Sequence, residues 1–219
     1  MGLERSKVVA AALRLLDEVG LDGLTNRRLA QDLGVRGPAL YWHFENKRAL
    51  TDAMAYAVLN EAHSGATIED NWVDMLAGEA RRVRKALLSH RDGARLMAGY
   101  RPNAPFGRLI NGSVDELRGG SANDGSVEAE ENVHMAGLLR ALVGAGFEKA
   151  EAMSAFLTVG LYTFGWTIDE QAGKDRTGPS SSIDREAAFE FGLSTILAGL
   201  QARVEAAKAG RPFAAARVG

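Results

Sequence analysis

Residues Leu24 to Leu50 read LTNRRLAQDLGVRGPALYWHFENKRAL, and this stretch decides the fold. Thr25 is a residue type that caps helix starts, so a helix is expected from about Asn26 to Leu33. Gly34 suits the left-handed backbone of a sharp turn. A third, short helix is expected after Arg36, ending near His43 or Phe44. Pro38 falls in its first turn, where a missing N–H costs nothing. Two helices joined by three or four residues around a glycine make a helix-turn-helix. Leu29 with Leu33, and Leu40 with Phe44, repeat at one-turn spacing and face inward. The outward residues are Arg27, Arg28, Arg36, Gly37, Pro38, Ala39, Tyr41, Trp42, His43, Lys47 and Arg48.

Charge sharpens this reading. Asn26 to Arg48 holds five Lys or Arg (27, 28, 36, 47, 48) against Asp32 and Glu45, a net +3 in 23 residues. The 219-residue chain as a whole is −2, with 26 basic and 28 acidic residues. The positive charge is therefore a local patch and not a basic coat. Cations at the edges of a short helix neutralise phosphates, while small and aromatic residues enter the major groove. Tyr41 and His43 can donate to phosphate, Arg27 and Lys47 can pair with it, and Ala39 can touch a thymine methyl. Residues 41 to 44 sweep most of a helical turn, so their rings cannot all face the core. Double-stranded DNA is the expected partner.

Working outward, residues 4–19 carry Val8, Ala12, Leu15, Leu16 and Val19 at helical spacing, with Gly20 as the stop. Asn46 can cap a fourth helix running to about Ala62. Beyond the polar stretch 64–71, helices are expected over 72–89, 92–98, 105–118, 127–145, 148–171 and 184–208, with loops at 119–126 and 173–182. No segment alternates long enough to build a sheet, and 36 Ala with 25 Leu favour helix, so the chain is expected to be all-α. The expected division is a DNA-binding head over 1–47, a connector helix over 46–62, a ligand-binding and dimerisation domain over 63–210, and a tail over 211–219. The longest uncharged run, Ala152 to Ile168, has 17 residues and falls short of the roughly 20 that span a membrane. With no signal-like start and no cysteine, a cytoplasmic protein without membrane attachment is expected.

Two apolar stripes mark the C-terminal helices. One contains Phe156, Gly160 and Phe164, the other Phe189, Leu193, Ile196 and Leu200. They are too apolar to leave wet and are expected to form a homodimer interface. A dimer also places two recognition helices about 34–36 Å apart, the spacing of successive major grooves. Enzyme readings fare worse. Ser89, His90 and Asp92 sit too close together on a helix end to converge as a triad. Glu128, Glu130 and Glu131 near His134 read as the acidic first turn of a helix, not as a metal site. No catalytic residue, metal or cofactor is expected.

The string G-V-x-x-x-x-L-Y-x-H-F-x-x-K-x-x-L within Leu24 to Leu50 resembles the hallmark of the tetracycline-repressor family of bacterial transcription regulators. LLSHRDGA at 87–94, GYRP at 99–102 and TVGLYTFGWTIDEQ at 158–171 extend the similarity into the family's ligand-binding half, with 103–146 the poorest part. The resemblance implies DNA contacts at Arg27, Pro38, Tyr41, Trp42, His43 and Lys47. Gly37 and Ala39 stand where tetracycline-responsive members have base-reading glutamine and threonine, so a different palindromic operator is expected.

The resemblance also implies a small-molecule effector held by His63, Glu79, Val83, Met97, Tyr100, Arg101 and Pro102. Here Glu79 replaces an amide, Val83 a phenylalanine, Tyr100 a threonine and Met97 a magnesium-binding histidine. Methionine is a poor ligand for a hard cation, so an effector other than a tetracycline–magnesium chelate is expected. The effector would release the repressor through the fourth helix, with Arg101-Pro102 as the moving element. The alternatives are a DNA-binding regulator without an effector and a small helical enzyme.

Overall fold

The computed structural model describes residues 3–64, 71–99, 127–173 and 184–210, and these are helical with no strand among them. The helices are α1 (Arg5–Gly23), α2 (Asn26–Asp32), α3 (Pro38–Tyr41), α4 (Lys47–His63), α5 (Trp72–Ser89), α6 (Gly93–Gly99), α7 (Val127–Ala145), α8 (Lys149–Gly173) and α9 (Arg185–Lys208). The helix expected over 105–118 and the loop at 119–126 lie outside the described residues. So do nearly all of the second loop and the tail. No helix among the described residues is long and apolar enough to cross a membrane.

The chain packs as two compact units that interleave along the sequence. The first gathers residues 1–66, 81–103 and 164–176; the second gathers 67–80, 104–163 and 177–219. The first unit therefore extends beyond the expected head, taking in the end of α5, α6 and the end of α8. In it α1 packs on α2 and α4, α2 on α3, and α4 on α6. One hydrophobic core runs through these elements. Leu16, Leu29, Leu40, Phe44, Met54 and Val58 of the N-terminal helices lie in the same cluster as Val83, Leu87, Leu96 and Met97.

In the second unit, Trp72 meets Phe147 edge to face at 5.1 Å, and Tyr162 stacks on Phe189 at 5.5 Å. The Tyr162 hydroxyl donates to the Phe189 carbonyl at 2.9 Å. Gly192 is what permits this, because a Cβ there would collide with the Tyr162 ring and hydroxyl. Phe189 and Leu193 are fully buried inside their own chain and present nothing to a partner. Phe156, Gly160, Phe164, Ile196 and Leu200 are half-buried. The large apolar side chains exposed on α8 and α9 are instead Leu161 and Phe191, at 69% and 74%.

Candidate nucleic-acid interface

Local chemistry builds the head. The Thr25 hydroxyl accepts from the Arg28 N–H at 3.2 Å, capping α2, and the Asn46 side-chain amide oxygen accepts from the Ala49 N–H at 2.9 Å, capping α4. Between α2 and α3 the backbone turns at Gly34 with φ of +66°. Val35 N–H then closes on the Ala30 carbonyl at 2.9 Å. Leu29, Ala30, Leu40 and Phe44 are buried as the spacing requires, and the Arg5 guanidinium covers the Phe44 ring at 5.0 Å. Pro38 opens α3, and the flanking Gly37 and Trp42 also have helical backbone angles. Its last turn closes on the Leu40 carbonyl, which accepts from the His43 and Phe44 N–H groups, both at 3.0 Å, before the cap at Asn46.

The outward face is open at some of these positions and half-buried at others. Arg27, Arg36, Pro38 and Lys47 are exposed, while Gly37, Ala39 and His43 are half-buried. Tyr41 is 58% exposed and Trp42 88%, an unusual placement for two large rings. Asn26 donates to the Tyr41 hydroxyl at 3.5 Å, which ties the start of α2 to the end of α3. Lys47 and Arg48 open α4, and with Leu21, Asp22 and Thr51 they line a shallow groove of about 490 Å³. Exposed aromatic rings beside exposed cations at helix ends suit a polyanion with stacked, grooved faces.

Other proposed site residues sit apart from this face. Val83 and Met97 are buried in the core of the first unit, and His63 ends α4 half-buried. In the second unit Glu79 is buried and its carboxylate lies 3.2 Å from the His134 ring. The sequence reading gave no role to that pairing, since the two residues are 55 positions apart. Tyr100, Arg101 and Pro102 lie outside the described residues.

The triad reading fails on geometry. The Ser89 hydroxyl donates to the Ala86 carbonyl at 2.7 Å, and the His90 ring lies between Asp17 at 3.1 Å and Glu61 at 3.3 Å. The Asp92 carboxylate accepts from the Leu21 N–H at 2.8 Å. Burial pushes the Asp92 carboxyl up, but the Leu21 N–H and the Arg95 guanidinium together outweigh it and hold the carboxyl below its ordinary value.

The profile described as "Bacterial regulatory proteins, tetR family" matches residues 8–54, and that of the "Tetracyclin repressor-like, C-terminal domain" matches 64–109. The class A tetracycline repressor from transposon 1721 of Escherichia coli is 41% identical over 223 residues, covering 92% of each chain. The chain belongs to the TetR family. A TetR variant from Acinetobacter baumannii AYE, solved with minocycline, superposes with a TM-score of 0.71 at 38% identity, covering 92% of this chain and 95% of that one. The regulator BioQ, solved with its double-stranded DNA operator, superposes at 0.63 and 36% identity, covering 91% and 99%. In this TetR-family chain the helix-turn-helix of α2 and α3 falls wholly within the matched N-terminal region.

Proposed function

We propose that this chain is a transcriptional repressor that acts in the cytoplasm, binds a palindromic operator as a homodimer and is released by a small molecule. The observation that carries the reading is the bare tip of the head. Tyr41 and Trp42 project into solvent, with the exposed cations Arg27, Arg36 and Lys47 around them. Pro38, Tyr41, Trp42, His43 and Lys47 would hold the backbone, while Gly37 and Ala39 would offer only shape and methyl contact to base edges. Leu161 and Phe191 are the apolar surface that supports a second copy on α8 and α9.

The effector would be taken by residues of the set that the resemblance implies, His63, Glu79, Val83, Met97, Tyr100, Arg101 and Pro102. Met97 offers a thioether, which favours an effector other than a metal chelate. Thermodynamically the effector must prefer the geometry that cannot hold DNA.

Selection of duplexes from a random pool by the full chain, followed by titration at several salt concentrations, tests this. A recovered palindrome whose affinity falls about 10³-fold between 50 and 200 mM salt, as about six phosphate contacts dictate, is the expected result. No enrichment, or a flat salt profile, would refute it.

A further inference from the structure

The corner between α5 and α6 is held by one side chain from far along the sequence. A helix end leaves carbonyls without acceptor duty and a helix start leaves N–H groups without partners. Here α5 stops at Ser89 and α6 begins at Gly93. Gln171, near the end of α8, serves both ends. Its amide nitrogen donates to the Leu87 carbonyl at 3.0 Å and to the His90 carbonyl at 2.9 Å. Its amide oxygen accepts from the Ala94 N–H at 2.9 Å. The neighbouring Glu170 receives a bidentate pair from Arg84, at 2.9 and 3.0 Å, so two successive residues of α8 are fastened to α5 and α6.

The opposite side of the same corner holds α1. Gly20, with φ of +72° and ψ of 173°, breaks α1, so the Leu21 N–H does not point along a regular helix. Asp92 takes that N–H at 2.8 Å, approaching so closely that a Cβ on Gly20 would stand 2.9 Å from its carboxylate. Asp92 itself sits at φ of +59°, a backbone conformation that persists only where its surroundings determine it. The Arg91 N–H donates to Asp17 at 2.8 Å, the Arg91 guanidinium to the Glu18 carbonyl at 2.8 Å, and Arg95 pairs with Asp22 at 3.2 Å. All these residues belong to the compact unit that contains the helix-turn-helix. The corner is thus gripped from α8 on one side and grips the end of α1 on the other.

We propose that Gln171 is a positioning residue: by capping the α5–α6 corner it holds Asp92 against α1, and so holds the DNA-reading head ready for a duplex. This deepens the repressor reading and rests on it for the DNA. Loss of the caps frees the corner to sample arrangements in which Asp92 no longer meets Leu21. A duplex that requires one arrangement then binds more weakly in proportion to that arrangement's population.

The test uses the full chain with Gln171→Met, which keeps the length and removes all three hydrogen bonds. Amide exchange at Ala94 and at Leu21 should both accelerate by about tenfold or more, while the Arg28 amide, capped locally by Thr25, keeps its rate. Affinity for the selected duplex should fall by roughly 3- to 30-fold with an unchanged salt slope, since the same phosphates are touched. Acceleration at Ala94 with Leu21 unmoved would overturn the proposal, as would an unchanged duplex affinity. If the variant fails to fold, exchange of the wild-type chain in rising denaturant decides. Leu21 and Ala94 leaving in one opening supports the link, and separate openings overturn it. A chain that selects no duplex defeats the repressor reading, and the Leu21 exchange rate still judges the link between Gln171 and α1.

Discussion

The Arg84–Glu170 pair offers a perturbation whose size follows from its burial. The guanidinium donates through two nitrogens to both carboxylate oxygens, at 2.9 and 3.0 Å, and the side chains are only 9% and 13% exposed. Screening by water is weak there, unlike at a surface pair. Glu170→Leu takes the bidentate carboxylate from a desolvated guanidinium, and such single losses cost about 3–5 kcal/mol. Replacing both partners, Arg84→Met with Glu170→Leu, removes the charge together with its need and should return the protein to within about 2 kcal/mol of wild type. With a urea slope of about 3 kcal/mol/M for a chain this size, the single variant should unfold about 1–1.7 M earlier. Urea titration followed by circular dichroism reads this directly, and the double variant closes a thermodynamic cycle. A single variant costing under about 1 kcal/mol, or a double variant worse than both singles, would refute the claim that the pair acts as a buried, mutually dependent unit.

Three further outcomes are expected. Lys47→Ala should weaken binding of all duplexes alike and lower the salt slope by about one, whereas Tyr41→Ala should weaken binding at every salt concentration; titration in a fluorescence assay separates the two. The Asp92 carboxyl titrates below its ordinary value of 3.8, so its charged form is favoured by folding. Its stabilisation is therefore complete above the unfolded value and is lost as pH falls through the lower folded one. Denaturation of wild type and Asp92→Asn should differ most near neutral pH and converge in acid, once the depressed folded value has been passed. A difference that persists unchanged into acid would show that the charge plays no part.

Much of the head was legible because its determinants are local. The Thr25 and Asn46 caps act over three residues, and the turn at Gly34 is set within five. One-turn spacing correctly assigned Leu29, Leu40 and Phe44 to the inside and left Tyr41 and Trp42 outside. The end of α3 was legible only to within a residue or two. Propensity does not say where a short helix gives way to a turn, and the packing of Phe44 together with the Asn46 cap takes over there. The C-terminal stripes were legible only as stripes. Periodicity says that Phe189, Leu193, Ile196 and Leu200 share a face, but not what covers it, and Tyr162 of the same chain covers Phe189.

The amino-acid order alone determined an all-helical chain, a helix-turn-helix with a cationic aromatic tip, and membership in a family whose motif lies in that tip. These follow from hydrogen bonds and side-chain contacts that close within a turn or two of helix. Tertiary structure alone decided that Gln171 would cap helix ends about 80 positions away, that Asp92 would hold α1, and that Glu79 would meet His134. Such contacts depend on which distant segments pack together. A polar side chain can serve any unsatisfied backbone group, and only the folded chain selects which one it reaches.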